Sequence, residues 1–214
     1  CGPVTVEASF TKPGEEPQPT PEPEPTPAPS VQSFTDVSAS AWYYDAVSYV
    51  YENGMMEGTG GTLFQPAVTT TRGMIVTMLY RLEGEPAAGQ STFTDVAAGA
   101  WYTSAVAWAS ANGIVEGYGN DRFGPDDTIT REQMAAILYR YAQYKGYDVT
   151  ASDGSLSGYT DAGQVSAWAQ TAMVWANAKG LITGTGAAVL NPLGNASRAE
   201  VAAILMRFVE NVAN

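Results

Sequence analysis

Three arginines stand at equivalent places in this chain. Each follows a hydroxyl residue and opens an apolar-periodic run: Thr71-Arg72-Gly73-Met74, Thr130-Arg131-Glu132-Gln133 and Ser197-Arg198-Ala199-Glu200. A hydroxyl side chain just ahead of such a run is a helix N-cap signal. An arginine directly behind the cap meets the positive end of the helix dipole, which mildly disfavours it. One such arginine means little; three at matching positions ask for an anion. A guanidinium grips a carboxylate through two parallel hydrogen bonds, and the free N–H groups of a helix start add donors. The reading preferred for Arg72, Arg131 and Arg198 is therefore contact with an anionic ligand. On that reading Arg131→Ala should weaken binding while leaving helicity and melting nearly unchanged. The alternative is an ion pair between each arginine and a repeated aspartate.

The elements that must position these arginines recur three times. The opening triplets are Phe34-Thr35-Asp36, Phe93-Thr94-Asp95 and Tyr159-Thr160-Asp161. Counted from each Asp, a Trp follows at six, six and seven residues (Trp42, Trp101, Trp168) and a Gly at 18, 18 and 19 (Gly54, Gly113, Gly180). A second Gly comes four later (Gly58, Gly117, Gly184), a Pro at 30, 30 and 31, and the arginine at 36, 36 and 37. Internal self-similarity at this period marks a repeat architecture. Each repeat reads as helix, loop, helix. In repeat two the first helix shows Trp101, Ala105, Val106, Trp108 and Ala109 on one face, and Gly113 stands where a helix C-cap belongs. The second helix carries apolar residues three, six, seven and ten positions beyond the arginine, such as Met134, Ile137, Leu138 and Tyr141. A helix pair this small cannot bury its own face, so the three must pack together. The expected fold is all-α, three helix-loop-helix repeats. The expected boundaries are 33–88, 89–150 and 151–214, forming one compact unit behind a segment at 1–32.

The chain has 214 residues, 45% of them hydrophobic, and a net charge of -12. That acidity argues against a nucleic-acid binder and requires any anionic ligand to be held by local cations. With one cysteine and no histidine, an internal disulfide, Cys/His zinc sites, Ser-His-Asp triads and Cys-His dyads are excluded. No cofactor or metal is expected: Asn120-Asp121 with Asp126-Asp127 does not match a calcium loop. No apolar run approaches a membrane span. Residues 1–10 alternate enough to be the last strand of a preceding region. From Pro17 to Pro29, Pro and Glu dominate, which predicts an extended polyproline II spacer. Cys1-Gly2 has the form of a lipoprotein's mature end, although a simple cut from something longer is the expectation.

Phe-x-Asp-Val, the Trp, Gly-Ile/Val-x-Gly, Phe-x-Pro and the Thr-Arg-Ala-Glu-like stretch together resemble the S-layer homology (SLH) domain family, over roughly residues 33–212. The resemblance implies a three-pronged unit with pseudo-threefold symmetry. It further implies non-covalent anchoring of a bacterial surface protein, at the wall of a Gram-positive cell, to a secondary cell-wall polysaccharide linked to peptidoglycan. That glycan often bears pyruvate ketals and lies in grooves between repeats, with Arg72, Arg131 and Arg198 as main contacts. Such a chain is not an enzyme, and a cargo domain upstream is expected. Only repeat three keeps the motif's Glu, Glu200; repeats one and two have Met74 and Gln133, so the grooves should differ, and Gly73 should loosen its helix start. The competing reading is a helical-repeat protein–protein scaffold or a self-assembling surface-layer subunit.

Other repeated residues carry two readings each. Trp42, Trp101 and Trp168 could offer a face to a sugar ring or serve as core anchors, and the sequence does not separate these. Gly58, Gly117 and Gly184 allow positive φ or close backbone approach, and the resemblance adds a groove wall of bare backbone. Trp108 and Trp175 are expected in the core. Asp36, Asp95 and Asp161 are expected to tie turns, and Ser197 with Glu200 and Thr130 with Gln133 to form capping boxes. A second arginine set, Arg81, Arg140 and Arg207, lies nine residues after the first and is explained by the negative end of the helix dipole.

Overall fold

The computed structural model describes residues 30–151 and 155–213. The expected leading strand and the Pro17 to Pro29 spacer lie outside the described residues. Six α-helices follow in order: α1 Tyr44–Glu52, α2 Arg72–Leu82, α3 Thr103–Ala111, α4 Arg131–Lys145, α5 Gln170–Ala178 and α6 Arg198–Asn211. Short 3-10 turns lie at Val31–Ser33, Ala162–Gln164 and Ala167–Ala169. Val31, just ahead of the expected start of the first repeat, is already buried.

Local chemistry sets the helix ends. The side chains of Thr71, Thr130 and Ser197 each accept from the backbone N–H three residues on, at 3.3 Å. The reciprocal half of the capping box forms in α4 and α6, where Gln133 and Glu200 accept from the cap N–H at 3.1 and 2.8 Å. Met74 has no oxygen to offer, so α2 starts with half a box. Gly73 nevertheless sits in regular helix. Its N–H donates to the Pro125 carbonyl at 2.9 Å, and a Cβ there would press on that same oxygen. The first helix of each repeat ends at Gly54, Gly113 and Gly180, with φ of 67°, 68° and 70°, a left-handed turn that glycine adopts without cost.

Helices pair across repeats: α1 packs on α6, α3 on α2 and α5 on α4. Each repeat thus sets its first helix against the second helix of the repeat before it, and repeat one closes on repeat three. The apolar faces fill a common core. Ile75, Leu79, Met134, Leu138, Val201 and Phe208 have no exposure, and neither do the loop plugs Phe64, Phe123 and Leu190. Trp108 and Trp175 are buried as expected.

At the centre, three backbone hydrogen bonds form a closed ring. Thr70 N–H donates to the Ala196 carbonyl at 2.9 Å, Ala196 N–H to Ile129 at 3.0 Å, and Ile129 N–H to Thr70 at 2.9 Å. These residues precede the three arginines by two positions, and all are fully buried. The arrangement is the expected pseudo-threefold one.

The repeated aspartates hold the loops in place. Asp36 accepts from the N–H groups of Phe64 and Gln65 at 2.9 and 2.7 Å. Asp95 does the same for Phe123 and Gly124, both at 2.8 Å, and Asp161 for Leu190 and Asn191, both at 2.7 Å. Gln65, Gly124 and Asn191 all have positive φ, so each carboxylate pins a turn in a conformation that costs Gln65 most. Burial pushes the Asp95 carboxyl up, but the Phe123 and Gly124 N–H donors outweigh it and hold Asp95 below the usual range. The Leu190 N–H does the same for Asp161.

Candidate functional site

The three cap-adjacent arginines are buried, with 5%, 4% and 5% exposure at Arg72, Arg131 and Arg198. Each reaches into the next repeat. Arg72 donates through Nε to the Phe123 carbonyl at 2.9 Å and through Nη2 to Glu116 O at 3.0 Å. Arg131 donates to Leu190 O at 3.0 Å and Thr183 O at 2.6 Å. Arg198 closes the cycle on repeat one, at 2.8 Å to Phe64 O and 2.6 Å to Glu57 O. Burial pushes all three guanidinium groups below their ordinary pKa, and the carbonyl dipoles offset that desolvation. None of the three pairs with a repeated aspartate, since those carboxylates bind backbone N–H groups instead. The expectation that Arg131 could be removed with melting nearly unchanged is corrected: its side chain rivets two repeats together.

Each of these arginines also lines a groove. Three grooves lie at equivalent places, and each draws on all three repeats. The groove of repeat one, about 420 Å³, is lined by Met56, Glu57 and Gly58 together with Arg198 and Trp101. That of repeat two, about 170 Å³, is lined by Glu116 and Gly117 together with Arg72 and Trp168. That of repeat three, about 350 Å³, is lined by Thr183 and Gly184 together with Arg131 and Trp42. Every groove therefore receives its buried arginine from the preceding repeat and its tryptophan from the following one.

Trp42, Trp101 and Trp168 are 67%, 59% and 58% exposed. They lie before the starts of α1, α3 and α5 rather than on the apolar face with Ala105, Val106 and Trp108, and they are not core anchors. Trp42 and Trp101 lean edge-on against Tyr43 and Tyr102, at 5.3 and 5.0 Å between ring centroids, which leaves broad apolar surface toward solvent. Gly58, Gly117 and Gly184 have ordinary negative φ. A Cβ would collide with a loop carbonyl and an aromatic ring, Leu63 O and Phe34 at Gly58, Arg122 O and Phe93 at Gly117, and Val189 O and Tyr159 at Gly184. Their role is close backbone approach to that loop, at positions that also line the three grooves.

Two groups of lining residues went unassigned to the grooves by sequence. Arg81, Arg140 and Arg207 line them, and Arg81 and Arg140 pair with Glu57 and Glu116 at 3.2 and 2.9 Å. Their constant nine-residue offset from the first set was the available signal. Met74, Gln133 and Glu200 line the same walls. Glu200 is both cap and wall: one oxygen serves Ser197, and the other accepts from Arg131 Nη1 at 3.2 Å. Tyr118 of repeat two lies over Arg72, its ring centroid 4.5 Å from the guanidinium carbon.

The cyclic pairing of helices and the three composite grooves define a closed triplet of helical repeats. The chain belongs to the S-layer homology domain family, whose model matches residues 33–73, 92–135 and 158–202, one match per repeat. It is 33% identical over 190 residues to an amylopullulanase of Thermoanaerobacterium thermosulfurigenes, covering 86% of this chain and 10% of that protein. It is 32% identical over 176 residues to the surface-layer 125 kDa protein of Lysinibacillus sphaericus, covering 81% of this chain and 14% of that one. A cellulosome-anchoring protein of Acetivibrio thermocellus is 28% identical over 165 residues, 72% of this chain and 35% of its own length. The chain thus spans a small part of the relatives it matches. Among the described residues no helix is long and apolar enough to cross a membrane.

Proposed function

We propose that this chain is a non-covalent anchor that holds a bacterial surface protein to the cell wall by binding an anionic, pyruvylated secondary cell-wall polysaccharide in its inter-repeat grooves. The observation that carries this reading is the composition of the grooves. Each joins a guanidinium held by carbonyls, a glycine and a largely exposed tryptophan. A fixed cation suits a ketal carboxylate, and the tryptophan suits the apolar face of a sugar ring. Family membership supports the anchoring role. So do relatives that are surface-layer or anchoring proteins, and enzymes of which this kind of chain makes up a minor part. The repeated acids are spent as loop ties and helix caps, so the triplet is read as a binding module and not as an enzyme. On this reading it works outside the cell, at the wall of a Gram-positive bacterium. The Pro/Glu-rich stretch at 12–30 then separates it from upstream cargo.

Calorimetric titration with purified, protein-free wall polymer tests the proposal, before and after mild acid removal of pyruvate. Binding that disappears with the pyruvate is the expected result. Equal binding would remove the arginine–carboxylate account and leave tryptophans and backbone as the contacts. No binding to polymer would overturn the proposal in favour of a protein–protein scaffold.

A further inference from the structure

The three grooves share a backbone plan, yet their charges are arranged differently. Each holds two arginines and one carboxylate. In repeat one the carboxylate is Glu57, paired with the outer arginine Arg81 at 3.2 Å. In repeat two it is Glu116, paired with Arg140 at 2.9 Å. The inner arginines of these grooves, Arg198 and Arg72, use Nε and Nη2 on carbonyls, and Nη1 finds no partner among the described residues. Both are at least nine-tenths buried and line the grooves. Their unpartnered edges are fixed donors for an incoming anion.

Repeat three reverses this. Thr183 stands where the other repeats have Glu57 and Glu116, so the outer arginine Arg207 has no internal acid. Its one partner among the described residues is the Leu181 carbonyl, at a long 3.4 Å. The groove's carboxylate is instead Glu200, and it sits on the inner arginine, Arg131 Nη1, at 3.2 Å. With two carbonyls and Glu200 on it, each of the three guanidinium nitrogens of Arg131 has a partner within the protein. The second oxygen of Glu200 is tied to Ser197, so that acid is committed within the protein.

We infer that the anion-binding group changes place in repeat three: Arg198 and Arg72 hold the ligand carboxylate in the first two grooves, whereas in the third Arg207 holds it and Arg131 is satisfied internally by Glu200. This inference rests on the proposed carbohydrate reading. It assigns a ligand contact to Arg207 that its position near a helix C-terminus did not suggest, and it removes one from Arg131.

The grooves can be followed separately, because each has its own exposed tryptophan: Trp101, Trp168 and Trp42 for repeats one, two and three. The experiment is a titration of the whole ¹⁵N-labelled chain with a methyl hexopyranoside carrying a pyruvate ketal, read at the tryptophan indole N–H signals. The variant is Thr183→Glu, which gives repeat three the acid the other repeats already have. Thr183 is exposed, and its backbone carbonyl would still accept from Arg131. The expected result is that Thr183→Glu weakens the Trp42 response at least tenfold and leaves Trp101 and Trp168 unchanged. Arg207→Gln should reproduce the loss. A Trp42 response that survives both Thr183→Glu and Arg207→Gln would overturn the inference and return the contact to Arg131. Responses at Trp101 and Trp168 but none at Trp42 in the unsubstituted chain would also overturn it, with the carbohydrate reading intact. No response at any of the three would overturn both.

Discussion

Arg131 of repeat two and Glu200 of repeat three meet across a repeat boundary, Nη1 to Oε1 at 3.2 Å, while the other oxygen of Glu200 closes the cap of its own helix. One carboxylate thus joins helix initiation to the packing of repeats. Removing Arg131 would strand three acceptors: the buried Leu190 carbonyl, the part-buried Thr183 carbonyl and Glu200. Buried polar groups left unpaired cost about 1–3 kcal/mol each. Arg131→Ala is expected to lose about 2–4 kcal/mol in urea or thermal unfolding. Arg131→Lys should recover only part of that, because an ammonium cannot span the two carbonyls as a planar fork does. An unchanged melting temperature would show that the seam does not depend on this side chain.

The two tryptophans of repeat two should separate binding from stability. Trp101 is 59% exposed and Trp108 is 4% exposed. Trp101→Ala should change stability by no more than about 0.5 kcal/mol and weaken polymer binding about tenfold, roughly 1.4 kcal/mol. Trp108→Ala should cost about 3–5 kcal/mol through the cavity it leaves. Calorimetric titration beside thermal melts gives both readings. Equal destabilisation by the two variants would contradict the division of labour.

Acid should loosen the loops. Asp161 has a folded pKa below its usual value because the Leu190 and Asn191 N–H groups favour its charged form. A depressed carboxyl contributes stability above its unfolded pKa of about 3.9 and loses it as pH falls through the folded value. Asp161→Asn should therefore melt below the unsubstituted chain at pH 7. The two melting curves should converge as pH drops below about 4. A gap that stays constant with pH would assign the effect to packing rather than charge.

Closure predicts that the triplet does not shorten gracefully. A chain ending at residue 150 lacks α5 and α6, which pack on α4 and α1, and it strips Arg131 of its acceptors in repeat three. It should lose cooperative melting and polymer binding together. Sharp two-state melting of the shortened chain by circular dichroism would show that two repeats suffice.

Much of this was legible because helix signals are local. Caps, C-terminal glycines and apolar periodicity placed the helices, and the recurrence of Asp at a fixed distance from each loop suggested its tie. What the sequence did not show was which repeat each residue serves. Trp101 looked like part of the apolar face because it lies one turn ahead of Ala105, but the helix starts only at Thr103, which frees the ring to reach the neighbouring groove. Arg131 read as a ligand contact because a helix start normally offers free donors. Only the fold of the next repeat brings the Leu190 and Thr183 carbonyls over it. Arg207 shows the same limit: its importance depends on an acid missing 24 residues upstream, at Thr183.

The hydrogen-bonded ring through Thr70, Ile129 and Ala196 has no first member. Contact of α1 with α6 completes between the two ends of the chain the same interface that α2 makes with α3 and α4 with α5. Chain order is then only a record of where the circle happens to be cut. A circular permutant beginning at repeat two, with repeat three linked to repeat one and the chain opened in the exposed stretch near Gly89, would contain every interface and every groove of the original.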